Sequence, residues 1–317
     1  MLERIIDASL RNQFLVLVAT VLLVLVGVDS VRTARVDAIP DLSDVQVIVS
    51  TRYDGQAPQV VEDQVTYPLT SKMLAVPRAK TVRGYSFFGV SFVYVIFEDG
   101  TDLYWARSRV LETLAGLGSS LPPDVAPQLG PDATGVGWAF QYVLNSPSRS
   151  LADLRSLQDF YLKYGLEAVD GVSEVASIGG FVRQYQVEVD PLRLRAYGVS
   201  LERVKSAIQA SNVDVGGRLV ELSEREYMVR GRGYVRGVED LENVVLATGA
   251  GGTPVLLREV AHVGVGPELR RGLADWNGEG ETVGGVVVVR SGADVRSTIE
   301  RVKQRLETLR QGLPEDV

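Results

Sequence analysis

Hydrophobic positions run unbroken near the N-terminus of this chain and become periodic after it. From Asn12 to Val28 there are 17 residues without a charge, and Phe14 to Val28 is almost wholly Leu, Val, Ala, Thr and Gly. At 1.5 Å per residue the run covers roughly 25 Å, and Ile5, Ile6 and Leu10 extend its apolar face toward the ~30 Å of a bilayer core. The pattern predicts one membrane-spanning helix. The alternatives are a buried core helix and a cleaved signal peptide. The second is disfavoured because Asp29-Ser30-Val31-Arg32-Thr33 stands where small cleavage-site residues belong. Arg4 and Arg11 before the run balance Arg32 and Arg35 after it, so charge alone does not set the orientation.

Beyond Pro40 the pattern changes. Val45, Val47, Val49, Thr51 and Tyr53 alternate with Gln46, Ser50 and Arg52, the mark of a half-buried strand, which Asp54-Gly55 ends. Val60, Val61, Val65, Leu69 and Met73 then recur at helical spacing, and Pro68 is expected to kink or divide that helix. Ala79 to Ser86 and Ser91 to Phe97 read as strands, the second apolar on both faces and hence interior. Asp102 can cap a helix running to about Leu117, which Pro122-Pro123 closes.

Trp138 to Leu144 opens a second round of the same plan. Ser150-Leu151-Ala152-Asp153 has capping-box form and starts a helix, and Val172 to Ile178 and Gln184 to Val189 follow as strands. Strand, helix, strand, strand, helix in each half predicts an α+β protein built of two ferredoxin-like, split β-α-β subdomains. Between them and the end of the chain lies a β-rich insertion. It comprises a short helix from Ser200 to Asn212, a projecting hairpin over Val213 to Val229 whose register Gly216-Gly217 relaxes, and strands from Val244 to Val265. A buried run, Val286 to Val289, and a helix from Asp294 to about Gln311 return to the second half. The expected organisation is 1–33 for the membrane helix, 34–136 and 137–189 for the first and second subdomains, 190–267 for the insertion and 268–317 for the rest of the second.

Composition narrows the chemistry. The net charge of -7, with no Lys/Arg block, argues against nucleic acid as a partner. There is no Cys, which removes disulfides, thiolate metal sites and thiol nucleophiles. The single histidine, His262, leaves one possible base for a triad and excludes two-His metal motifs. Soft ions would need thioether or thiolate ligands, yet the chain holds three Met, of which Met73 and Met228 are expected to pack in cores. Neither a catalytic site, nor a cofactor site, nor a metal site is expected here.

Several segments carry a resemblance. Val36-Asp37-Ala38-Ile39-Pro40-Asp41-Leu42-Ser43-Asp44-Val45-Gln46-Val47, Tyr53-Asp54-Gly55-Gln56-Ala57-Pro58 and Val65-Thr66-Tyr67-Pro68-Leu69 come first. Glu98-Asp99-Gly100-Thr101-Asp102 with Tyr104-Trp105-Ala106-Arg107, and Leu129-Gly130-Pro131-Asp132-Ala133-Thr134-Gly135, follow in order. Together they resemble the heavy-metal efflux pumps of the resistance-nodulation-division superfamily, most nearly the copper/silver branch, with zinc, cobalt, nickel and cadmium pumps as neighbours.

The resemblance implies a proton-driven homotrimer of the Gram-negative inner membrane, working with a periplasmic adaptor and an outer-membrane channel on metal cations as substrate. It implies that this chain matches the first third of such a pump, N-terminus cytoplasmic and bulk periplasmic, with metal-binding methionines and proton-relay carboxylates beyond Val317. It also gives roles to residues. Asp102, Trp105, Arg107 and Arg109 would belong to a pore helix near the three-fold axis. Val215, Gly216, Gly217 and Leu219 would belong to a docking-region hairpin that reaches a neighbouring subunit. The rival expectation is a single-span anchored periplasmic binding or assembly module; a membrane-anchored hydrolase comes third for want of catalytic groups.

Overall fold

The computed structural model describes residues 6, 9–33, 43–117, 120–123, 125–134, 137–222, 225–249, 251–270 and 272–317. Met1, the Val36 to Leu42 part of the first motif and Gly135 of the last lie outside the described residues. Helix α1 (Gln13–Thr33) has 21 residues, about 31 Å of rise. Phe14, Leu17, Leu22 and Leu25 are each more than half exposed, and no side of the helix is covered by the described residues. A core helix buries at least a stripe, and among the described residues none of the apolar window of α1 is buried. Among the described residues α1 is the one helix long and apolar enough to cross a membrane.

The remainder is mixed α+β with several antiparallel sheets, and it divides into two compact units. Residues 1–147, 157–178 and 283–317 make the first; 148–156 and 179–282 make the second.

In the first unit, β1 (Gln46–Arg52), β2 (Ala79–Phe87), β3 (Val90–Phe97) and β4 (Pro127–Leu129) form an antiparallel sheet in the order β2-β3-β1-β4. Val47 lies opposite Val95 and Val49 opposite Val93. With Phe97, these side chains line the one face that the alternation makes apolar. Against it pack Val65, Leu69 and Met73 of helix α2 (58–73) and Ala106 and Val110 of α3 (Leu103–Ala115).

Pro68 disturbs α2, though by a widened turn rather than the expected kink or division, through the bond it cannot make. Lacking an N–H, it leaves the Gln64 carbonyl without its usual donor, and the helix responds with a π-helical turn over Glu62–Thr66. The Tyr67 N–H there donates to the Glu62 carbonyl, five residues back. The wider turn carries buried Thr66, whose hydroxyl meets Ser91 Oγ at 2.7 Å and accepts from Ser86 Oγ at 2.8 Å.

A second sheet has the order β5-β13-β6, with β5 (Trp138–Leu144), β6 (Val172–Gly179) and β13 (Val283–Val289), and β13 runs antiparallel to β5. Helix α4 (151–167) also widens, without any proline: a π-helical turn spans Gln158–Leu162, in which Lys163 N donates to Gln158 O. Gln158 is fully buried, and its Oε1 accepts from Tyr142 Oη at 2.8 Å. Helix α9 (Val295–Arg310), capped by Asp294, approaches closely at Gly165, where any side chain would run into Leu309.

In the second unit, β7 (Arg183–Val189) pairs antiparallel with β12 (Ala261–Pro267), Val187 opposite Val263. Helices α5 (Pro191–Tyr197) and α6 (Leu201–Ser211) follow, capped by Asp190 and Ser200. Next come the hairpin β8 (Val215–Leu222) and β9 (Arg225–Gly231), the short α7 (Val238–Glu242), the pair β10 (Val245–Thr248) and β11 (Pro254–Leu256), and α8 (Leu257–Val260). Val204, Leu241, Leu246, Leu257, Val260 and Val263 are its core.

The pairing of β7 departs from the expectation that Gln184 to Val189 is the next strand of the second half. The reason is chemical. β7 alternates with Gln184, Gln186 and Glu188 and is half wet, whereas all seven residues of β13 are buried. A central strand covered on both faces needs the continuous apolar run.

Candidate functional site: a capped helix and an exposed ribbon

Asp102 begins α3 as its N-cap, Oδ1 accepting from Trp105 N at 2.8 Å, which satisfies one of the amides that a helix start leaves without a partner. Trp105 is 37% exposed and has two guanidinium groups near its ring, Arg78 at 5.7 Å and Arg109 at 5.8 Å from the ring centre. Arg109 also pairs with Glu112 at 2.6 Å, while its buried Nε has no hydrogen-bond acceptor among the described residues. Arg107 points elsewhere, its Nη1 donating to the Gly130 carbonyl at 2.8 Å. The four residues therefore share a helix without converging on one point.

What holds α3 in place was not assigned from the sequence. The Asp132 carboxylate accepts from Tyr104 Oη at 2.9 Å and from Ser173 Oγ, and it pairs with Arg290 Nε at 3.1 Å. Three segments remote in sequence thus meet on one acid: α3, β6 and the turn after β13. Burial alone would raise the Asp132 pKa; the hydrogen bonds from Ser173 and Tyr104 and the charge of Arg290 outweigh it and hold the group below its ordinary value. The Tyr104 phenol is pushed up, by burial first and then by its bond to Asp132, so it remains a donor. Gly130-Pro131-Asp132 after a short strand carries no periodic signal, and nothing in the sequence ties Asp132 to Arg290.

Asp132→Asn is expected to lower stability by about 1–2 kcal/mol at neutral pH. Because the folded pKa is lowered, the contribution of Asp132 is complete above the unfolded carboxylate pKa of about 3.9 and is lost as pH falls through the folded value. Thermal midpoints recorded from about pH 7 down to 3 should therefore show the two proteins converging at the acid end. Curves that stay parallel would reject this role.

The ribbon β8–β9 has little packing of its own. Leu219 faces Met228 across one side and Val220 faces Tyr227 across the other, and all four are at least 40% exposed. Val215 is exposed as well, and the register shifts between Gly216 and Leu219. Gly217 sits at that irregularity because a β-carbon there would strike the Val229 carbonyl. Relaxed register at the two glycines is as expected. At the ribbon's base Arg230 binds Asp214 through Nε at 2.9 Å and through Nη2, and Gly233 N donates to the same carboxylate at 2.9 Å.

The soft-metal question resolves residue by residue. Met73 is buried in the first core, as expected. Met228 corrects the expectation of core packing: it is on the strand but 81% exposed, because both faces of the ribbon are open and neither offers a core. His262 is exposed on β12 opposite Glu188. Among the described residues no three His, Cys, Asp or Glu side chains gather where they could hold a metal ion.

Comparison with known proteins matches residues 5–317 to the AcrB/AcrD/AcrF family. The chain is 57% identical over 319 residues to the cation efflux system protein CusA of Escherichia coli (strain K12) and 56% identical over 319 residues to the putative cation efflux system protein SilA of Salmonella typhimurium. It is 34% identical over 326 residues to the cobalt-zinc-cadmium resistance protein CzcA of Cupriavidus metallidurans. Each alignment takes in 100% of this chain and 30% of the relative, so the chain spans less than a third of their length. An X-ray structure of a heavy metal efflux pump superposes with a TM-score of 0.84 at 30% identity, over 96% of this chain and 31% of that one.

Proposed function

This chain belongs to the AcrB/AcrD/AcrF family, and on that premise we propose that it is the N-terminal part of a proton-driven inner-membrane transporter that exports heavy-metal cations, copper(I) and silver(I) foremost. The observation that carries the metal class is identity: 57% and 56% to the cation efflux proteins CusA and SilA against 34% to the cobalt-zinc-cadmium protein. The sequence motifs lean toward the same branch.

Within that reading α1 is the first membrane span, its N-terminus cytoplasmic and the residues from Asp41 onward periplasmic. The strand order β2-β3-β1-β4, with helices after β1 and β3, supports a ferredoxin-like first pore subdomain. The order β5-β13-β6 supports a second one, interrupted by residues 179–282 as the docking region. Helix α3 lines the pore, and the ribbon β8–β9 reaches a neighbouring subunit of a homotrimer; its open apolar pairs support that use, since a lone two-stranded hairpin is marginal in water. A periplasmic adaptor and an outer-membrane channel complete the path. The contribution of these residues is architecture, while ion selection and proton coupling belong to other parts of the transporter.

The full-length gene should restore growth of a metal-sensitive Gram-negative strain on copper and silver and do less on zinc. Rescue confined to zinc, cobalt or cadmium would reverse the metal assignment, and no rescue on any metal would remove the transport reading.

A further inference from the structure

Helices α2 and α4 both widen into a π-helical turn, and proline accounts for one of them only, since none stands within 151–167. Such turns are rare, because the helix must hold one residue more than its regular ladder does. What the two share is a buried polar side chain bonded to strands. In α2 it is Thr66, which meets Ser86 of β2 and Ser91 of β3. In α4 it is Gln158.

Gln158 is fully buried and reaches across the second sheet. Its Oε1 accepts from Tyr142 Oη of β5 at 2.8 Å and its Nε2 donates to Ser177 Oγ of β6 at 3.3 Å, with β13 between those strands. β13 makes room for the bridge at Gly285, opposite Tyr142, where a β-carbon would strike the tyrosine ring. Burial pushes the Tyr142 phenol up, which keeps it a donor. A buried amide gains most from the one backbone path that brings both of its ends to partners.

The turn sets the register of everything after it. Leu154, Gln158, Leu162 and Leu166 are buried at intervals of four. In a regular helix that spacing drifts by about 40° a step, or about 120° from Leu154 to Leu166. The extra residue in the turn takes back about 100° and keeps the stripe on the sheet. Were the turn to close into regular helix, each residue beyond it would move to the place of the one that follows. Tyr164 would then take the seat of Gly165. A β-carbon in that seat lies 2.7 Å from Leu309 Cδ1, so a whole tyrosine there would push α9 away and break the bond from Tyr161 Oη to Leu309 O, now 3.0 Å.

We propose that the Tyr142–Gln158–Ser177 bridge is a register lock: it holds α4 in its widened form, and breaking it lets the second half of α4 step by one residue and displaces α9 from Gly165.

Disulfide trapping in the full-length protein reads this step, even where the stepped register is a minor one. Cysteines introduced as Tyr164→Cys and Leu309→Cys are turned apart while the lock holds, and they come into bonding range once residue 164 occupies the seat of Gly165. Residues 1–317 hold no native Cys to compete. Under mild oxidation, with the bond located by peptide mapping, Gln158→Leu should speed formation of this disulfide roughly tenfold, about what the loss of one or two buried hydrogen bonds allows. Tyr142→Phe removes one hydroxyl and keeps the ring, and should speed it by a smaller factor. Equal rates with and without the bridge would overturn the proposal and leave the leucine stripe as what holds the register. A cooperative thermal transition shows which variants fold; if Gln158→Leu lacks one, the comparison of Tyr142→Phe with the parent decides alone.

Discussion

Phe97→Ala should lower the unfolding free energy by about 3–5 kcal/mol. Phe97 is fully buried at the end of β3, and its side chain is among the largest in the first core, beside Val47, Val95 and Met73. Its N–H donates to the Val45 carbonyl at 2.8 Å, so its backbone is fixed while the ring would be gone and the surrounding atoms could relax only in part. Set against a typical net stability of about 5–15 kcal/mol, that loss threatens the whole unit. Because Glu98 and the turn into the Asp102 cap follow at once, the start of α3 should loosen with it. Denaturant unfolding of Phe97→Ala and Phe97→Leu beside the parent would show this: the leucine should cost much less, and equal small shifts for both would mean that the site is not packed as described.

Leu22→Asp should remove membrane integration. Leu22 stands near the middle of the apolar stretch Gln13–Val31, and a carboxylate at the centre of a single span costs about 2.5–3.5 kcal/mol on insertion scales, with no neighbouring membrane helix among the described residues to pair it. An export-dependent reporter fused after Val317 should be active in the parent and in Leu22→Ile and lose activity in Leu22→Asp. Full activity in the aspartate variant would mean that α1 does not anchor the chain.

Local physics made much of the fold legible. Alternation specified β1, an apolar run specified β3, and a single carboxylate at Asp102 marked the start of α3, because each signal lies within a few residues of what it specifies. Pro68 announced a disturbance in α2, though not its form; whether a helix kinks, breaks or widens depends on what the freed carbonyl meets. The partner of β7 was illegible for a different reason. Tyr185, Val187 and Val189 give that strand one apolar face and leave the other wet, and a half-wet strand fits the edge of either sheet; only β12, far along the chain, decides the matter. The same holds at the candidate site. The cap on α3 is local and was read, whereas Asp132 acquires its meaning from Tyr104, Ser173 and Arg290, and no periodicity links those four positions. Met228 failed in the opposite direction: a strand methionine normally faces a core, and this strand has none.

The place of β13 in the second sheet has a consequence for synthesis. It lies between β5 and β6, yet it is made after both, about a hundred residues after β6 ends. At a translation rate of about 5–20 residues per second, β5 and β6 wait on the order of 5–20 s for the strand that separates them. Through that interval Leu144, Val172 and Val175 have no sheet neighbour to cover them, while residues 179–282 emerge and can close a core of their own. The insert is thus complete in the chain before its host is, and until β13 emerges β5 and β6 remain an open, adhesive pair of strands.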